Sequence, residues 1–373
     1  KIELASQALL LNGQSIQSLT INGGTRHLKV DAIAGPASVQ LEFDGKPSAK
    51  GWQGQITRAD IQSQAFSDWQ LVAPGLLSVD TDSLSTDTLC WENSQDAKLC
   101  TSLEQKASSW QSELTMEQLS LLLFSRWLPA DLKVDGKLNG SAKLNLEGQT
   151  LQGQATLQLP EGVVHYPLLE GERDHWDYRG GQVTLLLSEK GLKGNAELAM
   201  SNGDRLHVEA ELPGAQLPRL DYTHQPLRAK AQLNVHDLGL VEALIPEIQD
   251  LRGQVALDFK ANGTLARPEV KGSARLIDGS MRIPRLGLTI EQLSLLSQNN
   301  TAKKMDFQLK ARSGEGNLVI DGKTTLDKTR GWPTEFSIKG DAFTVAQIPE
   351  AQLRVSPDLF ISVQNRTVNI AGD

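Results

Sequence analysis

Aromatic residues and cysteines are scarce in this chain of 373 residues, and long hydrophobic runs are missing. Phe, Trp and Tyr together make up 5% of the residues, and there are two cysteines. No segment approaches the roughly 18 consecutive apolar residues that a membrane-spanning helix needs. Lys and Arg form no block and the formal net charge is −8, which argues against nucleic acid as a partner. The sequence therefore predicts neither a membrane-spanning helix nor a nucleic-acid interface.

Catalytic and metal-binding motifs are lacking as well. The six histidines show no metal-ligand spacing, and the chain has neither a Gly-x-Ser-x-Gly nucleophile motif nor a phosphate-binding loop. The densest polar and aromatic stretch, residues 165–181, is predicted to be a loop. We expect no enzymatic activity, no cofactor and no metal.

Alternation of apolar and polar residues dominates the chain. The segments 28–32, 39–43 and 206–212 alternate in this way, and Asp-Gly pairs at 44–45 and 321–322 are typical hairpin turns. This period-2 pattern indicates strands with one buried face. The chain is therefore predicted to be a long antiparallel meander.

The scarcity of aromatic residues disfavours a sandwich, whose interior needs large side chains. The predicted fold is all-β with a few short helices, an elongated antiparallel sheet curled into a U-shaped, taco-like hydrophobic groove. At one strand every 13 residues, about 28 strands spaced ~4.8 Å apart make a groove about 130 Å long. Such an aliphatic surface marks a site for apolar ligands. The residues predicted to line it are Leu28, Val30, Val39, Leu41, Phe43, Leu144, Leu146, Leu206, Val208, Ala210, Leu233, Val235, Val255, Leu257, Phe259, Met305, Phe307, Leu309, Leu318, Ile320, Leu359, Ile361 and Val363.

Two segments with helical periodicity divide the chain. Helices are predicted over Glu113–Leu128 and Asp237–Ile245, each followed by a proline, and similar strings recur at an offset of 117 residues. This recurrence indicates one elongated, repetitive architecture. The alternative interpretation is that the chain contains two unrelated helix–strand domains. The predicted division is 1–112, a groove segment with the cysteine hairpin; 113–236, a helix-opened groove repeat; 237–340, a second such repeat; and 341–373, the start of a further β segment that the chain truncates.

The two cysteines, Cys90 and Cys100, flank a turn-rich tip at Asn93–Asp96. Across a hairpin they would face each other at disulfide distance, and a disulfide implies an oxidising compartment. The alternative is a pair of buried, reduced thiols.

Several strings resemble, in order, the TamB family within the AsmA-like superfamily of bridge-type lipid transfer proteins. They are residues 51–55 and 69–78, the cysteine hairpin, and residues 263–272, 279–284 and 348–359. TamB proteins are the inner-membrane-anchored subunits of the translocation and assembly module of Gram-negative bacteria. The resemblance covers nearly the whole chain.

The resemblance implies a groove in the periplasm, anchored in the inner membrane by a segment outside this chain. It also implies an outer-membrane partner of the Omp85 barrel type, TamA, contacted through regions outside this chain. We therefore expect a periplasmic fragment whose groove holds phospholipid acyl chains and conducts phospholipids between the two membranes. The alternative function is a scaffold for assembling outer-membrane β-barrel proteins, such as autotransporters, by strand addition.

Overall fold

The computed structural model describes residues 2–11, 14–63, 67–127, 133–167, 173–200, 202–217, 220–239, 242, 245, 247–301, 303–326, 331–364 and 367–372. The strands of the first half are β1 Ile2–Leu11, β2 Gln14–Gly23, β3 His27–Ala34, β4 Ala37–Pro47, β5 Gly51–Ser63, β6 Trp69–Leu71, β7 Gly75–Asp80, β8 Ser83–Asn93, β9 Lys98–Lys106, β10 Ser109–Ser120, β11 Lys133–Glu147, β12 Thr150–Leu159, β13 Gly162–Pro167 and β14 Arg173–Ser188. Those of the second half are β15 Gly191–Met200, β16 Arg205–Pro213, β17 Arg228–Val235, β18 Gln249–Gly263, β19 Pro268–Ile283, β20 Leu288–Thr301, β21 Lys304–Ser313, β22 Gly316–Thr325, β23 Thr334–Asp341, β24 Phe343–Ile348, β25 Ala351–Val355, β26 Asp358–Gln364 and β27 Thr367–Gly372.

Twenty-five of these strands form one sheet in which every pairing is antiparallel. Neighbours in sequence are neighbours in the sheet, with three exceptions. Strands β6 and β7 both lie between β5 and β8, β12 and β13 both lie between β11 and β14, and β24 and β25 leave the sheet as a separate hairpin. The sheet thus has 23 strand positions and extends about 105 Å at ~4.8 Å per strand. The prediction of an all-β, elongated antiparallel sheet is confirmed. The hairpin turns predicted at 44–45 and 321–322 are wrong, because these Asp-Gly pairs lie within β4 and β22 and are paired with neighbouring strands.

The first predicted helix, Glu113–Leu128, is wrong over its first half. Residues up to Ser120 belong to β10, which pairs with β9 and β11, and only Leu121–Trp127 form a 3-10 helix. Gln118, within the predicted helix, instead has a positive φ of 55° in a bulge of β10. Pairing on both sides outweighs the weak helical preference of this segment.

The second predicted helix, Asp237–Ile245, falls partly outside the described residues. Within it, the amide N–H of Glu242 donates to the carbonyl of Leu238 at 2.9 Å, which closes one helical turn. A second 3-10 helix spans Pro284–Leu286. None of the helices among the described residues is long and apolar enough to cross a membrane.

Residues 165–181 do not form the predicted loop. His165 belongs to β13, and the stretch from Arg173 onward belongs to β14, which pairs with β13. Five residues of the stretch, 168–172, lie outside the described part.

Three inserts that interrupt the meander lie at one rim of the sheet. Strands β10, β17 and β23 run in the same direction, and the described residues 121–127, 236–239 and 342–357 follow them at the same rim. The hairpin β24–β25 packs there against β20 and β21, where Phe343 is buried with Ile290, Leu293 and Ala311. We call this edge the covered rim. Its inserts bury apolar side chains that the sheet alone leaves open.

Candidate functional site

The residues predicted to line a groove share one face of the sheet. Residues directly paired across an antiparallel ladder point to the same side, so the register traces rows of side chains that run along the sheet. One row contains Leu198, Leu206, Leu233, Leu257, Ala274, Ser297, Phe307, Gly322, Phe336, Ile361 and Ile370. We call the side on which these residues lie the apolar face.

A second row runs beside the first and is apolar throughout. It contains Val235, Val255, Leu276, Leu295, Leu309, Ile320, Ile338 and Leu359. The N-terminal strands carry a similar row of Leu4, Ile21, Val30, Leu41 and Ala59. Leu144 and Leu146 continue the apolar face between the two halves, opposite Ser112 and Trp110 of β10.

The apolar face is only partly shielded from water. Most of the predicted lining residues are half-buried, whereas Val235 beside the covered rim is buried, with 7% of its surface exposed. In β27, Ile370 is 65% exposed. Shielding from water on this face is therefore strongest beside the covered rim.

Aromatic side chains on this face lie across glycines of the neighbouring strand, a feature that the sequence did not reveal. The ring of Phe307 occupies the space where a side chain at its partner Gly322 would stand, and Phe259 does the same over its partner Gly272. A flat ring over a glycine covers the sheet without projecting from it. Phe307 and Phe259 thus cover the backbone of the apolar face at these two glycines.

A polar residue on the apolar face is satisfied by the backbone. The side-chain amide of Asn299 accepts from the N–H of Gly272 at 2.6 Å and donates to the carbonyl of Val270 at 2.6 Å. Because its hydrogen bonds are made within the sheet, Asn299 does not require water above the face.

The opposite side, the polar face, carries the charged residues. Lys29, Glu42 and Arg58 are paired in one row of β3, β4 and β5, and their charges lie 3.8–4.0 Å apart. His207 lies within 3.3 Å of Glu197 and 3.1 Å of Glu209. Surface ion pairs of this kind contribute little each, but they keep this face solvated.

The two cysteines form the predicted disulfide. Cys90 and Cys100 lie directly opposite each other in β8 and β9, with their Cα atoms 4.0 Å apart, and their sulfurs are bonded. The tip is a turn in which Oδ1 of Asn93 accepts from the amides of Gln95 and Ala97. Cys100 shares a row with Thr115, on the polar face. The disulfide therefore fixes the β8–β9 hairpin without lining the apolar face.

Titratable groups do not converge on a reaction centre among the described residues. No group of three or more metal-ligating side chains is found there. The carboxyl pKa values that are shifted, those of Asp204 and Asp221, are lowered, and both side chains bond to histidines in turns. Burial raises the pKa of Tyr178, with a smaller contribution from Asp135. These arrangements stabilise turns and the covered rim.

Comparison with known proteins identifies the family of this chain. Residues 1–276, about three quarters of the chain, match the family described as TamB, N-terminal domain. No match was found among curated proteins or among solved structures. The matched part contains the cysteine hairpin and strands β1 to β18, with the start of β19. The chain therefore belongs to the TamB family.

Proposed function

We propose that the apolar face is the floor of a groove that conducts phospholipids between the inner and outer membranes. The TamB family is a non-enzymatic transport and assembly module that works with TamA. In this proposal the chain works in the periplasm, the sheet curls around the acyl chains, and the headgroups remain in water.

The observation that supports the proposal is the continuity of the apolar rows. Moving an acyl chain of about 15 methylenes through water costs roughly 12 kcal/mol, at ~0.8 kcal/mol per methylene. The second apolar row, from Val235 to Leu359, offers an apolar contact at every strand. A lipid acyl chain that moves along this row is therefore never fully hydrated. A conduit of this kind needs no catalytic residue, and its direction is set elsewhere.

The division of the chain into groove segments stays part of this proposal. The inserts that begin at residues 121, 236 and 342 lie at the covered rim, as expected for repeats that each close one side of the groove. The segments 1–112, 113–236, 237–340 and 341–373 would then be successive lengths of one conduit.

A second candidate function is the assembly of outer-membrane barrel proteins. An unpaired strand edge is a template for a further strand. In this alternative a client strand would pair with the backbone of the sheet, and its contacts would run along one strand.

Site-specific photo-crosslinking distinguishes the two functions. A crosslinker on the apolar face should capture phospholipid, and one on the polar face should capture none, because a strand's side chains change sides at every residue. The apolar-face positions are Leu206, Val208, Ala210, Met305, Phe307 and Leu309, and the polar-face positions are His207, Glu209, Glu211, Asp306, Gln308 and Lys310.

The pattern of adducts decides the outcome. Protein adducts concentrated along one strand, with no lipid adducts elsewhere, would favour the assembly scaffold. Lipid adducts that form equally at apolar-face and polar-face positions would contradict the proposed conduit. A lack of adducts at both sets of positions would also contradict it.

A further inference from the structure

Three lysines are directly paired across neighbouring strands on the polar face. Lys230 of β17 lies opposite Lys260 of β18, and Lys260 lies opposite Lys271 of β19. Like charges placed directly opposite each other destabilise a sheet. The adjacent row shows the usual arrangement, in which Glu211 separates Lys193 from Arg228. The lysine row thus carries an electrostatic cost that the rest of the polar face avoids.

The carboxylates around this row are engaged elsewhere. Glu209, which is paired with Lys230, lies 3.1 Å from Nε2 of His207, and Asp258 accepts a hydrogen bond of 2.8 Å from Gln232. Within the described part of the chain, none of the three lysines lies in an ion pair with a carboxylate. Their ammonium groups thus lack a close carboxylate partner, in a chain whose net charge is −8.

Two of the lysines line a cleft on this face. The cleft has a volume of about 740 Å³, and its charged lining includes Lys193, Arg228, Lys230 and Lys260 against Glu209 and Glu211. Because Glu211 lies 3.1 Å from Lys193 and 3.8 Å from Arg228, it is shared by two cations. The positive excess of the cleft is therefore concentrated at Lys230 and Lys260.

Amide side chains complete the lining. Asn262 and Asn195 both border the cleft, and the side-chain oxygen of Asn195 is buried without a hydrogen-bond partner. The two ends of an asparagine amide interchange by a rotation about its last bond, so this position can present the N–H₂ group to an acceptor. A buried polar atom that has no partner in the protein is the kind of group that a ligand satisfies.

We propose that this cleft binds a phosphate group, held by the ammonium groups of Lys230 and Lys260. Lysine is a compact charge that binds phosphate oxygens, and charge-assisted bonds are the strongest hydrogen bonds available to the site. Leu186, 49% exposed on the same wall, offers an apolar contact beside the phosphate. The site lies on the side of the sheet opposite Leu233 and Leu257, so it is separate from the proposed acyl-chain path.

The test compares the full chain with the double variant K230Q/K260Q and with K339Q as the matched control. Lys339 is an exposed lysine on β23 whose partner, Asp358, lies 3.9 Å away, outside the cleft. Inorganic phosphate is titrated at constant ionic strength, with unfolding temperature and calorimetry as readouts. In parallel, vesicles of phosphatidylglycerol and of phosphatidylcholine are tested by flotation.

The expected result is saturable phosphate binding that the double variant loses by roughly tenfold or more and that K339Q retains, since two charge-assisted bonds are removed. Without phosphate, the double variant should unfold at an equal or higher temperature, because the opposed lysines are relieved. If the protein also floats with phosphatidylglycerol vesicles, the ligand is a lipid headgroup. If it binds inorganic phosphate but not these vesicles, the ligand is a soluble phosphate. Equal binding by the double variant, or no binding of either probe, would overturn the proposal. Lipid adducts at Leu206 and Val208 should be unaffected by these lysine substitutions, so this result and the conduit are tested separately.

Discussion

The carboxylate of Asp204 accepts a hydrogen bond of 2.7 Å from Nδ1 of His236, across the space between the β15–β16 turn and the end of β17. Asp204 has no solvent-exposed surface. The backbone N–H of His236 donates to the same oxygen at 2.8 Å, and Asn202 donates to the other oxygen at 2.8 Å. This carboxylate therefore ties the turn to the insert of the covered rim that begins at residue 236.

Acid is expected to weaken this connection. Burial by itself raises the pKa of Asp204, but the hydrogen bonds from His236, Asp237 and Asn202 outweigh it and hold the pKa below the ordinary value of 3.8. The folded state then binds a proton less readily than the unfolded state. The stabilisation is complete above pH 3.8 and is lost as the pH falls through the lower, folded-state pKa.

Asp204→Asn should cost about 2–3 kcal/mol of unfolding free energy at pH 7, because it removes the charge from several hydrogen bonds. Below pH 4, the free energy of unfolding of this variant should also decrease less with falling pH than that of the unsubstituted protein. Asp221→Asn is the matched control, since Asp221 also bonds to a histidine, His224 at 2.9 Å, but on an exposed turn. Urea unfolding at pH 7 and pH 3 measures both variants. Equal effects of the two substitutions would contradict the role given to burial.

Replacing Cys90 and Cys100 by serine should destabilise the β8–β9 hairpin by about 3 kcal/mol, the chain-entropy value for a loop of this length. Hydrogen exchange should accelerate in β8 and β9 and stay unchanged in β20 to β23, because β8 and β9 pair with each other and with β6, β7 and β10. Peptide mapping of the oxidised protein should recover the linked pair. Two alkylatable thiols in that sample would rule out the disulfide.

Phe343→Ala should release the hairpin β24–β25 from the sheet. Phe343 is buried with Ile290, Leu293 and Ala311, and loss of a buried phenylalanine costs roughly 3–5 kcal/mol. Phe360→Ala provides the control, because Phe360 is 50% exposed and its loss should cost well under 1 kcal/mol. Hydrogen exchange of β24 and β25 is the measurement. If that hairpin stays protected in Phe343→Ala, this contact does not hold it.

Leu257→Arg should block lipid transfer between vesicles while leaving the sheet folded. Leu257 lies in the apolar row between Leu233 and Ala274, where an unpaired charge facing an acyl chain is costly. Asp258→Arg places the same charge on the polar face, where Gln232 can turn its amide oxygen to the new donor, so transfer should be nearly unchanged. Circular dichroism confirms the fold of both variants. Similar transfer defects in the two would refute the assignment of faces.

The strands were predictable from sequence because alternation is a local property. The alternation at 206–212 specifies both a strand and its apolar side, whatever its neighbours are. The helix expected at Glu113 failed because Leu119, Leu122 and Leu123 fit a helical period as well as they fit a strand, a bulge and a 3-10 turn. Pairing on both sides decided between them, and pairing is not local.

Contacts between strands could not be predicted from the sequence either, because they depend on strand pairing, which is not local. Phe307 and Gly322 are 15 residues apart, and Lys230 and Lys260 are 30 residues apart, so neither juxtaposition exists until the register is fixed. The departure of β24 and β25 from the sheet also depends on a tertiary contact, that of Phe343, and alternation alone assigns these strands to the sheet.

Most contacts in this molecule join strands that are neighbours in the sheet. Disruption of one strand acts first on the strands paired with it, so the sheet should unfold in zones rather than all at once. The same connectivity makes the length of the sheet adjustable. A hairpin inserted away from the contacts of Phe343 and Asp204 would lengthen the sheet by about 10 Å. The number of strands therefore sets the length of the sheet, and no single core shared by all strands has to be redesigned.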